Sequence, residues 1–458
     1  MITSRMKQKF IIDVNPSTGE IIEKIKCSSP GEINSAVKIA RKAFKFWSDT
    51  SVKSRILLFR KIVKSIRGTT DEIARKITLE IGKPIKRSRE EVSDTLKQME
   101  QIISFAEEAL GKQIFKNGKE TSEVVLTPYG VSAVIGSWNY PFFVPAEYLT
   151  STIISGNTAV LKPSAVATST GNLLYNIFNN ILPKGVINIV QGGDEVRETL
   201  LNTDINIVSF IGSKEKGKKV ISSSVNHMQR YTLEHSSKDA MIVFDDTNLT
   251  NAASFAVKNS LHNSGQNANS IERIYVHYPV YEKFISIVSG KIKTVKSGNP
   301  FGDVDVGPLA TEEMRNKLFN QIEEARRKGA KILHGGTKPD SKGFFIEPTL
   351  IVDVSDKHEL MSDETFGPVI AVQKYFDIDA IIEKINSSPF GLGATIWTKN
   401  IKKATGIAKK LDVGMIGINN PVDGVSGTPW CGIKQSGCGY MGCKESLRFF
   451  TYPKKYTY

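Results

Sequence analysis

The stretch Val131-Ser-Ala-Val-Ile135-Gly136-Ser-Trp-Asn-Tyr-Pro141 opens the reading of the fold. Five apolar or small residues run unbroken into a Gly, and Asn and Pro follow at once, which predicts a short strand ending in a tight turn. Similar apolar runs follow at Thr158–Leu161, Gly185–Val190, Ile205–Phe210 and Tyr231–Leu233, with helix-like segments between them. Short strands bridged by helical patterns predict a parallel sheet covered on both faces. A second series starts near Ala240, with Met241–Phe244, Ile271–His277, Lys331–Leu333, Thr349–Val352, Val369–Tyr375 and Ala394–Thr398. The expectation is two α/β lobes. Upstream, Pro30–Leu110 carries amphipathic helical periodicity, ending in one long helix over Ser93–Leu110, and the character turns to β near Ser122.

The composition is that of an ordinary globular protein. The chain has 458 residues, 40% hydrophobic and 24% charged, enough for roughly two or three domains. Its net charge of +14 is spread over the whole length, mostly as Lys, without a basic run or aromatic-interleaved strip. A nucleic-acid partner is therefore not expected, whereas a nucleotide remains a fitting acidic ligand. The four cysteines, Cys27, Cys431, Cys438 and Cys443, form no C-x-x-C pair, and the six histidines form no metal-spaced cluster. The N-terminus lacks an apolar leader core and no run of 18 apolar residues occurs, so a cytoplasmic setting without a membrane is expected.

Several segments carry chemistry. Asn139, at a strand end, can donate its amide to a developing oxyanion or simply shape a turn. Lys162, in Leu161-Lys162-Pro163-Ser164, can meet a ribose or phosphate or lie on the surface. Phe210-Ile-Gly212-Ser213-Lys-Glu-Lys-Gly217 reads as strand, turn and helix start, where unpaired N–H groups with Lys214 and Lys216 suit a diphosphate. Glu234 follows a strand and can act as a general base or stand solvated. Asn263-Ser-Gly265-Gln266-Asn-Ala268 is a Gly-bearing loop, and Asp363-Glu364-Thr-Phe366-Gly367-Pro368 sets a carboxylate beside an aromatic and a rigid turn. A Ser–His–Glu triad from His235, Ser236, Ser237 and Glu234 is not expected, because consecutive residues leaving a strand rarely converge.

Taken in order, these motifs resemble the aldehyde dehydrogenase superfamily over essentially the whole chain. The resemblance rests on Trp138-Asn139-Tyr140-Pro141, Lys162-Pro163-Ser164, Gly212-Ser213, Leu233-Glu234, Gly265-Gln266, Glu364-x-Phe366-Gly367-Pro368 and Gly432-x-Lys434-x-Ser436-Gly437. It implies an α/β fold with a Rossmann-like cofactor domain (1–111 and 128–235), a catalytic domain (236–440) and a small β oligomerisation arm (112–127 and 441–458), assembled as a homodimer or homotetramer. It also implies NAD(P)-dependent oxidation of an aldehyde: a Cys thiolate attacks the carbonyl, hydride leaves to nicotinamide, and a Glu activates water to release the acid. Carried over, Asn139 is the oxyanion donor and Glu234 the general base. Lys162 holds the adenosine ribose, Ser213 the diphosphate and Glu364 the nicotinamide ribose, with Trp138, Ser164, Gly212 and Phe366 in the same cofactor motifs.

The sequence departs from the family at decisive places. The nucleophile's slot, two residues after Gly265-Gln266, holds Ala268, whose methyl group has no lone pair to attack a carbonyl. Cys431, expected near the substrate mouth, does not replace it. His235-Ser236-Ser237 stands where the family has Leu-Gly-Gly, and the two serines are expected to crowd the nicotinamide. Ala165 replaces a frequent carboxylate beside the ribose 2′-hydroxyl, and Arg197 replaces a Gly facing the adenine. Arg197 either blocks that slot or pairs with a 2′-phosphate, which would favour NADP over NAD. Two functions stay open: an oxidoreductase disabled at its nucleophile, or a non-catalytic homologue that binds a dinucleotide or assembles with an active paralogue.

Overall fold

The computed structural model describes residues 9–224 and 228–458; His227 and the N-terminal residues 1–8 lie outside them. Four helices, Pro30–Trp47, Val52–Gly68, Thr70–Ile81 and Ile85–Ala109, occupy the region of amphipathic periodicity. The first begins with a capping box between Ser29 and Glu32, which satisfies backbone donors that the helix itself leaves unpaired. The long helix starts at Ile85, eight residues before the stripe becomes clear at Ser93, because Pro84 sets its entry and buried Ser88 and Glu91 interrupt the apolar pattern.

The first series of strands forms a six-stranded sheet. Its order is Gly437–Cys438, Arg230–Glu234, Ile207–Ile211, Val131–Ile135, Thr158–Lys162 and Ile187–Ile189. The last five run parallel, and the short outer strand pairs antiparallel. From Val131–Ile135 the chain moves outward on one side and then returns to the other, so the strand order reverses beside this strand. In open α/β sheets, ligands bind at the carboxyl ends at such a reversal.

The second series forms a seven-stranded sheet ordered Lys331–His334, Thr349–Val352, Val369–Tyr375, Ile271–His277, Asp239–Val243, Gly393–Trp397 and Met415–Ile418. It is parallel except for its first pair. Met415–Ile418 was not legible as a strand, being only four residues at an edge with a Gly inside. The tetrapeptide His235–Lys238 runs directly from the end of Arg230–Glu234 to the start of Asp239–Val243. The carboxyl ends of the first sheet therefore meet the amino ends of the second. Loops entering Ile271–His277 and Val369–Tyr375 carry Ala268 and Glu364 into that seam.

A separate three-stranded sheet joins Gln113–Asn117, Glu120–Pro128 and Thr451–Thr457, with Tyr456 opposite Glu123 and Tyr452 opposite Thr127. The strand structure thus begins nine residues before Ser122. Leu447 and Phe450 pack with Phe59, Met99 and Leu149 in the core shared by the N-terminal helices and the six-stranded sheet. The hairpin Phe10–Val14 with Ile21–Lys26 was also unread: Ile11, Asp13 and Ile25 are buried while Phe10, Ile12 and Ile21 are exposed, so its apolar residues mark no single face. Among the described residues no helix is long and apolar enough to cross a membrane, and no group of side chains could hold a metal ion.

Candidate active site

The carboxyl-end layer of the six-stranded sheet gathers the first set of candidates. Ile135 stands opposite both Lys162 and Phe210, and Ile211 stands opposite Glu234, so the turns after these strands open on one level. Lys162 is buried, and its Nζ donates to the Pro163 carbonyl at 3.0 Å. Burial pushes its ammonium down to about 7, and the neighbouring Arg197 charge adds to the effect. Arg197 is buried too; Nη1 donates to Asp194 at 2.7 Å, while Nε and Nη2 have no hydrogen-bond partner among the described residues. Ser164 accepts from the Val166 N–H at 3.3 Å, and half-buried Ala165 packs on the core beneath.

Gly212 donates its N–H to the Glu234 carbonyl at 3.1 Å, and Ser213 Oγ accepts from the Lys216 N–H at 3.4 Å at the start of the helix Lys214–Ser224. Lys214 lies 3.7 Å from Asp363, and Lys216 lies 3.8 Å from Asp194. His235 turns away from the seam. Its ring fills the space over Gly217, where any Cβ would come within 1.9 Å of Nε2, and Nδ1 lies 3.3 Å from the Gln435 carbonyl. It hydrogen-bonds neither serine beside it, so no triad is assembled.

The amino-end layer of the seven-stranded sheet is more tightly closed. Asn263, Ser264 and Gly265 all have positive φ, of 51°, 58° and 72°. The first two are costly for residues with a Cβ and persist because the surroundings fix them. Ser264 Oγ donates to the Gly307 carbonyl and accepts from its N–H, and Gln266 Oε1 accepts from Ala310. Gly265 cannot be replaced, since a Cβ there would sit 2.0 Å from the Gly367 carbonyl oxygen. This contact joins the Gly265-Gln266 motif to the Gly367-Pro368 motif.

Lys238 and Glu272 form a buried ion pair at 2.6 Å, and Glu272 accepts the Thr365 and Phe366 N–H groups. This fixes the turn bearing Glu364 and sets the Phe366 ring edge-on to Trp138 at 5.5 Å. Both serine hydroxyls are bonded to protein groups. Ser237 Oγ donates to the Ala268 carbonyl, its N–H donates to Glu364 Oε1 at 3.0 Å, and the Ser236 side chain also bonds Glu364. Burial, reinforced by Glu272, pushes Glu364 up to about 7 despite these bonds.

Between the layers lies a cavity of about 690 Å³, and Asn139, Glu234 and Ala268 all line it. Asn139 Nδ2 donates to the Gln266 carbonyl at 3.4 Å, and its own carbonyl accepts from Asn263. Burial pushes Glu234 up to about 7, opposed by a hydrogen bond with the Trp430 side chain. Among the described residues no cysteine lines the cavity. Cys431 packs in the same small apolar cluster as Ala268, but its thiol faces the Gly414 carbonyl at 3.7 Å and burial pushes it up, away from thiolate.

The cavity wall also contains Glu147, which the sequence reading missed. It sits in Phe143–Ile154, a helix otherwise composed of apolar and uncharged residues, and that isolation was the available signal. Burial pushes its carboxyl up to about 8, and repulsion from Glu234 contributes. Gln98, Trp430 and Asp423 are further lining residues without a motif of their own.

The family model for the "Aldehyde dehydrogenase family" matches residues 2–456. The chain belongs to this family. Among curated relatives, a probable succinate-semialdehyde dehydrogenase, NADP(+), of Sinorhizobium fredii (strain NBRC 101917 / NGR234) is 30% identical, over 96% of this chain and 91% of that one. Aminoaldehyde dehydrogenase 1, peroxisomal, of Pisum sativum is 31% identical, over 96% and 93%. The solved lactaldehyde dehydrogenase of Escherichia coli superposes with a TM-score of 0.95 at 29% identity, over 100% of this chain and 97% of that one. The aldehyde-dehydrogenase-like α/β fold expected from the motifs is thereby established, and the family's activity is oxidation of aldehydes with NAD or NADP.

Proposed function

We propose that this chain is a dinucleotide-binding member of the aldehyde dehydrogenase family from which the covalent step has been lost. One observation carries the reading: Ala268 occupies the cavity shared with Asn139 and Glu234, where the mechanism needs a thiolate. The other two groups suit their inherited roles. Asn139 would donate to an oxyanion, and Glu234, with a carboxyl near neutrality, would exchange protons with water at physiological pH. Without a nucleophile neither group has a thioester to act on.

The adenosine end fits a dinucleotide on the structure's own terms. Lys162 is a buried amine with a single carbonyl partner, and Arg197 keeps its buried Nε unbonded with Nη2 3.5 Å from Glu198; hydroxyls and phosphates would complete both. Gly212 and Ser213, at the helix start, would face the diphosphate, with Ser164 and Trp138 beside it and Ala165 leaving the 2′ position uncharged. At the other end Glu364, in the turn with Phe366, retains acceptor capacity for a ribose although Ser236 and Ser237 already engage it. The nicotinamide of a bound dinucleotide supplies a hydride acceptor. Arg197 and Ala165 favour NADP.

The reading includes the division into a cofactor domain (1–111 and 128–235), a catalytic domain (236–440) and an arm (112–127 and 441–458). It also includes a homodimer or homotetramer through the arm, where Ile114 and Phe115 are exposed. Four free cysteines support a reducing, cytoplasmic setting. The test is turnover. Purified protein is expected to give no aldehyde-dependent reduction of NAD or NADP, and Ala268→Cys to raise the rate at least about 100-fold above that background. Substantial turnover by the unaltered protein would overturn the proposal.

A further inference from the structure

The charges around the cavity are unevenly matched. Lys83 pairs with Glu91, Arg87 donates twice to Glu90, and His262 leans on Glu90 at 3.9 Å. Asp94 is paired with Lys97, and Lys258 is exposed. Glu147, Glu234 and Asp423 line the cavity with no ion pair among the described residues, Asp423 accepting instead from the Asn269 amide. Glu147 is only 9% exposed, and Oε1 accepts from the neutral Gln98 amide at 2.9 Å. A buried carboxyl without a cation is costly, and two in one cavity repel each other.

The walls beside these carboxyls are aromatic. Phe143 and Glu147 are four residues apart on one helix and so project on the same face; Tyr148 and Trp430 also line the space. Aromatic faces combined with a carboxylate form the chemistry that recognises an ammonium group, and a bound cation would draw the raised Glu147 carboxyl back to its ionised form. The relatives do not decide this point, since one is named for an acidic aldehyde and another for aminoaldehydes.

We infer that the cavity selects small aldehydes and related ligands bearing a positively charged ammonium group, held by Glu147 against Phe143, Tyr148 and Trp430. The inference rests on the reading of this cavity as the aldehyde site. It does not require turnover: Ala268 leaves the recognition walls in place, so binding is the direct readout.

The test is titration of the full-length protein with choline, with its uncharged carbon isostere 3,3-dimethyl-1-butanol, and with 3,3-dimethylbutanoate. Heat and tryptophan fluorescence are both followed, Trp430 being in the wall. Choline is expected to bind at least about tenfold more tightly than the isostere, and the carboxylate most weakly. Glu147→Gln keeps the side chain's shape and is expected to remove about tenfold in choline affinity while leaving the isostere within about twofold. That unchanged isostere binding confirms an intact cavity; if the Gln variant does not fold, Glu147→Asp provides the same comparison with the charge retracted. Equal binding of choline and isostere, or choline binding untouched at Glu147, rejects the ammonium class and leaves the cavity as a ligand site. Binding of none of the three rejects the aldehyde-site reading itself.

Discussion

The two layers that face each other across the seam differ in how much of their polar chemistry remains available. At the carboxyl ends of the six-stranded sheet, Lys162 has one carbonyl partner, Arg197 Nε is buried and unbonded, and Glu234 and Glu147 line the cavity with no ion pair of their own among the described residues. At the amino ends of the seven-stranded sheet most groups of the same kinds are paired, Asp239 Oδ2, Asn263 Oδ1 and Asn269 Oδ1 being exceptions among the described residues. Ser237 bonds the Ala268 carbonyl and Glu364, Glu272 takes Lys238 and two N–H groups, and Asn263–Gly265 is held in left-handed conformations by Gly307 and Gly367. Open buried donors and acceptors are unfavourable alone and become favourable when a ligand completes them. On the proposed reading the first layer keeps the marks of a binding surface, while the second is a more closed scaffold around Ala268.

That contrast can be tested by opening or closing groups in each layer. The largest effect is expected at Glu147. Its folded-state carboxyl is raised to about 8, above the ordinary carboxyl value, so its contribution to stability is complete below the unfolded value and is lost as pH rises through about 8. Glu147→Gln removes that loss. The stability difference between variant and parent should shift in favour of the variant by about 2–4 kcal/mol between pH 4 and pH 9, measured by urea unfolding. A difference that stays constant with pH would show that Glu147 is already paired.

Lys162→Met deletes a buried amine of the first layer that has a single carbonyl partner. Dinucleotide affinity should fall about 10- to 100-fold by calorimetry, with choline binding unaffected. Arg197→Ala separates the two explanations of that residue. The ratio of NADP to NAD affinity should drop about tenfold if its free donors meet a 2′-phosphate, whereas an equal gain for both cofactors would identify Arg197 as a plug. The smallest effect is expected in the closed layer. Ser237→Gly releases the Ala268 carbonyl while the backbone N–H keeps its bond to Glu364, and dinucleotide affinity should improve only about two- to fivefold. A larger gain would mean that the serine, and not the lost thiol, is the principal block.

The fold was legible because its strands are dense apolar runs. Val131–Ile135, Ile271–His277, Thr349–Val352 and Val369–Tyr375 stand where the pattern placed them, since nearly every position in them is buried, Gln373, Lys374 and His277 near the strand ends excepted. What escaped was the N-terminal hairpin, whose buried Ile11, Asp13 and Ile25 alternate with exposed Phe10, Ile12 and Ile21 and so show no clean apolar face, and the short Gly-interrupted edge strand Met415–Ile418. At the site, motif order brought Asn139, Glu234 and Ala268 into one cavity. Glu147 was not legible because its role depends on Gln98, Glu234 and the aromatic wall, which come from separate elements. Ser236 and Ser237 showed a similar limit: the sequence identified them as bulk in place of glycine, but not as hydroxyls bonded to Glu364 and to the Ala268 backbone.

The central claim, a retained cofactor surface beside a lost nucleophile, is tested most directly by calorimetric titration of the unaltered protein with NAD and with NADP. The account predicts micromolar binding of at least one of them, NADP the tighter, with no aldehyde-dependent reduction in the same sample. Absence of binding by either dinucleotide up to millimolar concentration would contradict it, because the open donors of Lys162 and Arg197 would then have no cofactor to complete them.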